Sequence, residues 1–208
     1  MLSDYLIYNP DNHEYSIQYD PERKIVVPSV TQLLEYGHLV DNSFIAPHYA
    51  EDGTEIHTMT ELMDQGMYEP SLCVDRVHAA MVGYEQFLLD HDVVWELTEQ
   101  KVFHNELFYA GTFDRLGTVD GSPFLVDIKS GQKYRWHAVQ VAAYLMSGIA
   151  NGVGAADLYL GSCEFKWHEW TEEELTKAAY IFQIIVDLYW HNHPMDYKRL
   201  LKMQEELA

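Results

Sequence analysis

Cysteine is scarce in this chain of 208 residues: Cys73 and Cys163 are its only two. Two thiols cannot build a disulfide framework or an all-cysteine metal site, so the fold must rest on a buried core, and a reducing cytoplasm is the expected setting. Long apolar runs are missing too, and nothing approaches the ~20 residues of a membrane span. The opening stretch, MLSDYLIYNPDN, carries acids and a proline where an export signal needs a basic start and an apolar segment, so an intracellular protein is expected. Positive charge is the third shortage. Thirteen Lys and Arg face 33 Asp and Glu, a formal net charge of −20, which opposes tight binding to a polyanion. No Lys or Arg occurs from Val26 to Asp75, whereas Arg115, Lys129, Lys133 and Arg135 gather in one stretch. That stretch is either a local basic rim or, for Lys133 and Arg135 equally, an ordinary solvated loop.

What is present points to one folded unit spanning residues 1–208. Hydrophobic residues make up 48% of the chain and five are tryptophan, too apolar a composition for disorder. In order, HEYSIQY and KIVVPS flank Asp20-Pro21-Glu22 and predict a hairpin. Ser29 caps a short helix, VTQLLEYG, that Gly37 can end, giving an N-terminal unit over residues 1–36. Residues 38–52 read as a loop broken by Pro47, and a helix is expected after Gly53. Ser71 to Asp90 predicts a second helix, from the apolar stripe of Val74, Val77, Met81, Tyr84 and Leu88. Val93–Phe103 and Glu106–Val119 read as strands, and Asp120-Gly121 between apolar runs signals a tight hairpin into a third strand. A helix carrying Gln140 and Tyr144 follows, then strands at 155–160 and 165–170. Thr171 and Glu174 form a capping box for a C-terminal helix over 171–191, whose end, His191-Asn192-His193, suits the negative pole of the helix dipole. The fold class expected is α/β in the α+β sense, a mixed sheet flanked by helices.

Within the segment 111–144, alternation along the third strand turns Asp127 and Lys129 to one face and Val126 and Ile128 to the other. Asp114 lies on the neighbouring antiparallel strand. Gln140 and Tyr144, four apart, share a helix face. Two acids, a lysine and an amide thus converge above a strand pair.

The order Gly111-x-x-Asp114, Asp127-x-Lys129, Gln140-x-x-x-Tyr144 resembles the PD-(D/E)xK nuclease superfamily in its RecB-like exonuclease branch. Upstream, Gly53, Thr54 and His57 are similar to that branch's Gly-Thr-x-x-His helix. The resemblance spans roughly residues 27–162 and implies a restriction-endonuclease-like core, αβββαβ, with a catalytic region over 53–162. It implies Mg²⁺ or Mn²⁺, one or two ions, held by His57, Asp114, Asp127 and the backbone carbonyl of Ile128, with Glu61 and Glu99 as weaker ligands. Hard divalent ions suit carboxylates and activate water for phosphodiester hydrolysis. Lys129 would then orient the water and stabilise developing charge, and Gln140 and Tyr144 would position the strand. Arg115, Lys133 and Arg135 would face substrate. With two cysteines, no iron–sulfur cluster is expected. The implied activity is DNA exonuclease action at an end or single strand, in phage or bacterial recombination, repair or degradation. A single-strand annealing or other recombination protein is the implied partner, and the host cytoplasm the location if phage-encoded. The alternatives are an endonuclease on the same core, or a non-catalytic acidic module that mimics DNA.

Overall fold

The computed structural model describes residues 1–40, 47–149 and 152–207. After one 3-10 turn (Leu2–Tyr5), strands β1 (Leu6–Asn9), β2 (Glu14–Asp20) and β3 (Arg23–Val27) form a three-stranded antiparallel sheet. The expected hairpin is β2–β3, closed where the Glu22 N–H donates to Asp20 Oδ1 (2.8 Å). Strand β1 was not anticipated, since its four residues carry no clear alternation. Helix α1 (Val30–Tyr36) starts on the reciprocal bonds of Ser29 and Gln32, 3.1 and 2.9 Å. It ends at Gly37, as expected. The left-handed conformation falls one residue later, on His38 (φ 55°), and the Leu39 N–H closes on Leu34 O at 3.0 Å. Gly37 also leaves space, because a Cβ there would meet Ile185 Cδ1 at 2.5 Å.

Helix α2 (Pro47–Asp64) is already formed seven residues before the predicted start. Residues 47–52, expected as loop, are helical, and a proline is tolerated in a first helical turn, where the N–H has no use. The part of the predicted loop at 41–46 lies outside the described residues. Helix α3 (Asp75–Asp90) follows a 3-10 turn over Pro70–Leu72, which absorbs the start expected at Ser71.

Strands β4 (Val93–His104), β5 (Tyr109–Val119) and β6 (Ser122–Lys129) form an antiparallel meander. Asp120 and Gly121 join the last two with φ of 51° and 78°, as a two-residue hairpin with both central residues left-handed requires. The crossover helix α4 (Trp136–Met146) then returns the chain so that β7 (Gly154–Gly161) pairs in parallel with β6. Strand β8 (Glu164–Trp170) adds antiparallel to β7, giving the order β4-β5-β6-β7-β8. Helix α5 (Glu172–Asn192) carries the predicted capping box, and the His-Asn-His run sits at its end. A further helix, α6 (Pro194–Glu206), extends the chain beyond the expected C-terminal helix, with Pro194 again in the first turn. The architecture is therefore α+β, with one antiparallel and one mixed sheet.

The five-stranded sheet separates two apolar cores. One joins α1, α4, α5, α6 and the N-terminal sheet; the other packs Ile56, Val77, Tyr84 and Phe87 of α2 and α3 on Val126, Ile128 and Leu158. Helix α3 comes so close to β8 that a Cβ at Gly83 would lie 2.5 Å from Glu164 O. Gly83→Ala would gain about 1 kcal/mol in helix propensity. A backbone oxygen cannot swing aside as a side chain can, so the substitution is expected to lower stability despite that gain. A chemical denaturation midpoint above wild type would contradict this.

Candidate active site

Pairing of β5 with β6 runs from Val119↔Ser122 to Arg115↔Val126 and stops there. Beyond that point the strands part, and Asp114 and Asp127 stand at the fork. The Ile128 N–H, freed from the ladder, donates to Asp114 Oδ2 at 2.6 Å. Ile128 thus meets the site through its N–H. Both aspartates are buried, at 6% and 2% exposure. They open into a cleft of about 620 Å³ that is also lined by His57, Glu99, Lys129, Gln140 and Tyr144.

Three donors converge in this cleft. His57 Nδ1 lies 3.3 Å from Asp114 Oδ1 and 3.4 Å from Glu99 Oε1, and one ligand atom from each of the three falls within 4.8 Å of the others. Helix α2 supplies the histidine. The carboxylates come from facing residues on β4 and β5: Thr98 pairs with Arg115 and Gln100 with Phe113, which sets Glu99 opposite Asp114. Glu99 takes φ 47°, a conformation uncommon for a residue with a Cβ, at a point where function can hold strain. Burial would lower the His57 pKa, yet the charges of Asp114 and Glu99 and their hydrogen bonds raise it to about 10. Burial raises the Asp114 pKa, but His57, Lys129 and the Ile128 N–H together bring it below the ordinary value. The cluster demands a positive charge at its centre, either a proton on His57 or a cation.

Beside it, Lys129 Nζ forms an ion pair with Asp127 Oδ2 and donates to Gln140 Oε1 at 2.7 Å. Gln140 Nε2 donates to the Tyr144 hydroxyl at 3.2 Å. Burial pushes the Asp127 pKa up to about 7; Lys129 opposes this, while Asp114 and Asp157 add to it. Lys129 is held above its usual value because Asp127 and Asp114 outweigh its own burial. Gly111 has a local cause as well: a Cβ there would sit 2.7 Å from the Tyr144 ring.

Other expected site residues lie elsewhere. Glu61 accepts from Gln65 along α2 at 3.1 Å and does not join the cluster. Arg115, expected to face substrate, is fully buried and is bound to Asp64 (2.8 Å), Glu99 (3.2 Å) and Thr60 (3.1 Å), so it cannot reach a phosphate. Lys133 leans on β8, 2.7 Å from His168 Nε2 and over the Trp170 ring, and Arg135 is exposed at the start of α4. Neither lines the cleft.

Sequence reasoning passed over Asp157. It pairs with Asp127 across the parallel β6–β7 ladder, which places the two side chains on one face. It is fully buried and accepts from the Tyr159 hydroxyl at 2.7 Å, and His137 Nδ1 lies 2.8 Å from that same hydroxyl. An aspartate inside the apolar run Ala155–Leu160 was the available signal.

No family model and no curated protein matches the chain. Among solved structures, one titled "Crystal structure of SSO0001" matches with 14% identity over 75% of this chain and 84% of that one, at a TM-score of 0.29. The chemistry of the site therefore has to rest on its own geometry.

Proposed function

We propose that this chain is a divalent-metal-dependent deoxyribonuclease of the PD-(D/E)xK type, an exonuclease acting at DNA ends on a restriction-endonuclease-like core that forms one catalytic unit. The observation that carries this reading is the meeting of His57, Glu99 and Asp114 with Asp127, Lys129 and Gln140 in one cleft. An imidazole and carboxylates suit Mn²⁺ as well as Mg²⁺, so this donor set fits the group the fold family implies. His57, Glu99 and Asp114 would hold the ion, with Asp127 at their side. Such an ion supplies Lewis acidity toward a phosphate oxygen and a bound water of lowered pKa.

The remaining work belongs to the chain. Lys129 places a fixed cation at the mouth of the two aspartates, where charge develops on a phosphate under attack. Gln140 holds that ammonium from α4, and Tyr144 holds the amide in turn. DNA is the partner this chemistry suits, with a recombination protein and a cytoplasmic setting following by association only. The net charge of −20 favours a second reading, an acidic module that occupies another protein's basic groove.

Cleavage of end-labelled linear DNA against covalently closed circles, in Mg²⁺, Mn²⁺ or EDTA at low salt, separates these. Low salt matters because so acidic a protein loses its grip on a polyanion steeply as salt rises. Metal-dependent loss of linear DNA with circles spared is expected. Cut circles would indicate an endonuclease. No cleavage under any condition would overturn the enzyme reading.

A further inference from the structure

The N-terminal sheet forms a second wall of the cleft. Tyr15 Oη and Thr112 Oγ1 lie 2.6 Å apart, and the Ala110 N–H donates to Pro28 O at 3.0 Å, so the small sheet is fixed beside β5 close to Gly111 and Asp114. This brings Tyr8, His13 and Tyr15 into the same cleft as the three converging donors. Tyr8 is half-buried with its ring 4.7 Å from that of Tyr15, and its hydroxyl is 2.7 Å from His13 Nδ1. From the edge strand β4, Lys101 reaches over with Nζ 5.3 Å from the centre of the Tyr8 ring. Among the described residues, Lys101 and Lys129 are the two lysines lining the cleft. Lys129 is committed to Asp127, whereas Lys101 is exposed and has no carboxylate partner among the described residues.

In a chain so short of positive charge, an uncommitted lysine laid on an aromatic ring beside a metal-capable cluster is a specific arrangement. An aromatic ring with a mobile cation above it offers a stacking face to a base and a counter-charge to the adjoining phosphate. A base inside a duplex cannot use that face, because both of its faces are already stacked, and a terminal pair can offer its one free face only with its partner base attached; an unpaired base fits without that obstacle. The ammonium can swing from the ring to a phosphate without breaking an ion pair.

We infer that Tyr8 and Lys101, with His13 at their edge, form a nucleotide subsite for an unpaired strand, so that the substrate is single-stranded DNA or a frayed end and not an intact duplex. This deepens the nuclease reading and rests on it for the identity of the polymer, but it makes a separate claim about binding.

The test uses the full chain carrying Lys129→Ala, to suppress cutting, in Mg²⁺ at low salt. Fluorescence anisotropy follows a labelled oligothymidylate and a blunt duplex of equal length, while wild type is assayed for cleavage in parallel. The single strand is expected to bind at least about tenfold more tightly than the duplex. Adding Tyr8→Ala should weaken single-strand binding by about tenfold, within the range for loss of one stacked base, and Tyr8→Phe should restore it. Lys101→Ala alters only an exposed side chain and should flatten the salt dependence of binding by about 0.7 in log–log slope. Equal affinity for duplex and single strand, or binding unchanged by both Tyr8→Ala and Lys101→Ala, overturns the subsite even if wild type cuts DNA. Binding that depends on Tyr8 and Lys101 in a protein that cuts nothing upholds the subsite and overturns the nuclease reading.

Discussion

Lys129→Ala is expected to lower metal-dependent cleavage of linear DNA by about 10² to 10³-fold, the usual effect of removing one preorganised donor from a site of developing negative charge. The loss should appear in kcat with little change in KM, since the interaction strengthens as charge grows. The geometry predicts a compound effect. Lys129 is the group that opposes burial and neighbouring acids at Asp127, whose pKa already lies at about 7. Without the ammonium that carboxyl rises further and carries a proton at neutral pH, so one substitution removes a cation and silences an acid. Lys129→Arg should rescue poorly, because a planar guanidinium does not fit a socket shaped by Gln140 and Asp127 for a compact ammonium. Metal binding provides the control. His57, Glu99 and Asp114 remain, so Mn²⁺ should still raise the melting temperature of Lys129→Ala, whereas His57→Ala should abolish that rise. Full activity in the lysine variant would remove this residue from the chemistry and leave the cleft a binding site at most.

The parts of this site that the sequence made legible are those governed by short-range rules. Strand alternation put Asp127 and Lys129 on one face and Val126 and Ile128 in a core; helix spacing aligned Gln140 with Tyr144; Asp120-Gly121 fixed the turn and so the neighbouring position of Asp114. Caps at Ser29 and Thr171 were readable for the same reason. What escaped, or was ranked too low, depends on partners distant in the chain. Glu99, read from the sequence only as a weaker ligand on a par with Glu61, enters the cluster because β4 pairs opposite Asp114 and its backbone turns to a positive φ there, and no neighbour of Glu99 announces either fact. Arg115 looks like an available cation until α2 closes over it. Asp157 becomes a neighbour of Asp127 only through the parallel register across α4. Pro47 misleads in a different way, since the residue that breaks a helix interior is tolerated in a first helical turn, and only position tells which.

Arg115→Met is expected to cost about 3–5 kcal/mol, the toll of leaving a buried acid without its partner. For a chain of this size that corresponds to a fall in melting temperature of about 10 °C. The guanidinium is fully buried, and four of its five N–H groups are used: Nε to Asp64, Nη1 to Glu99 and the Asp114 carbonyl (2.8 Å), Nη2 to Thr60. Asp64 depends on it, since burial lifts the pKa of this carboxyl even with Arg115 and the Tyr84 hydroxyl against it. Stability and activity should then separate in the double variant Arg115→Met with Asp64→Leu. Replacing both members of a buried pair by apolar groups is often neutral or better, so much of the lost stability should return. Activity should not, because Arg115 also ties Glu99, and through Thr60 the helix that carries His57, to β5. A double variant recovering both would make the arginine mere scaffolding. Recovery of stability alone would identify it as the post against which the three converging donors are set.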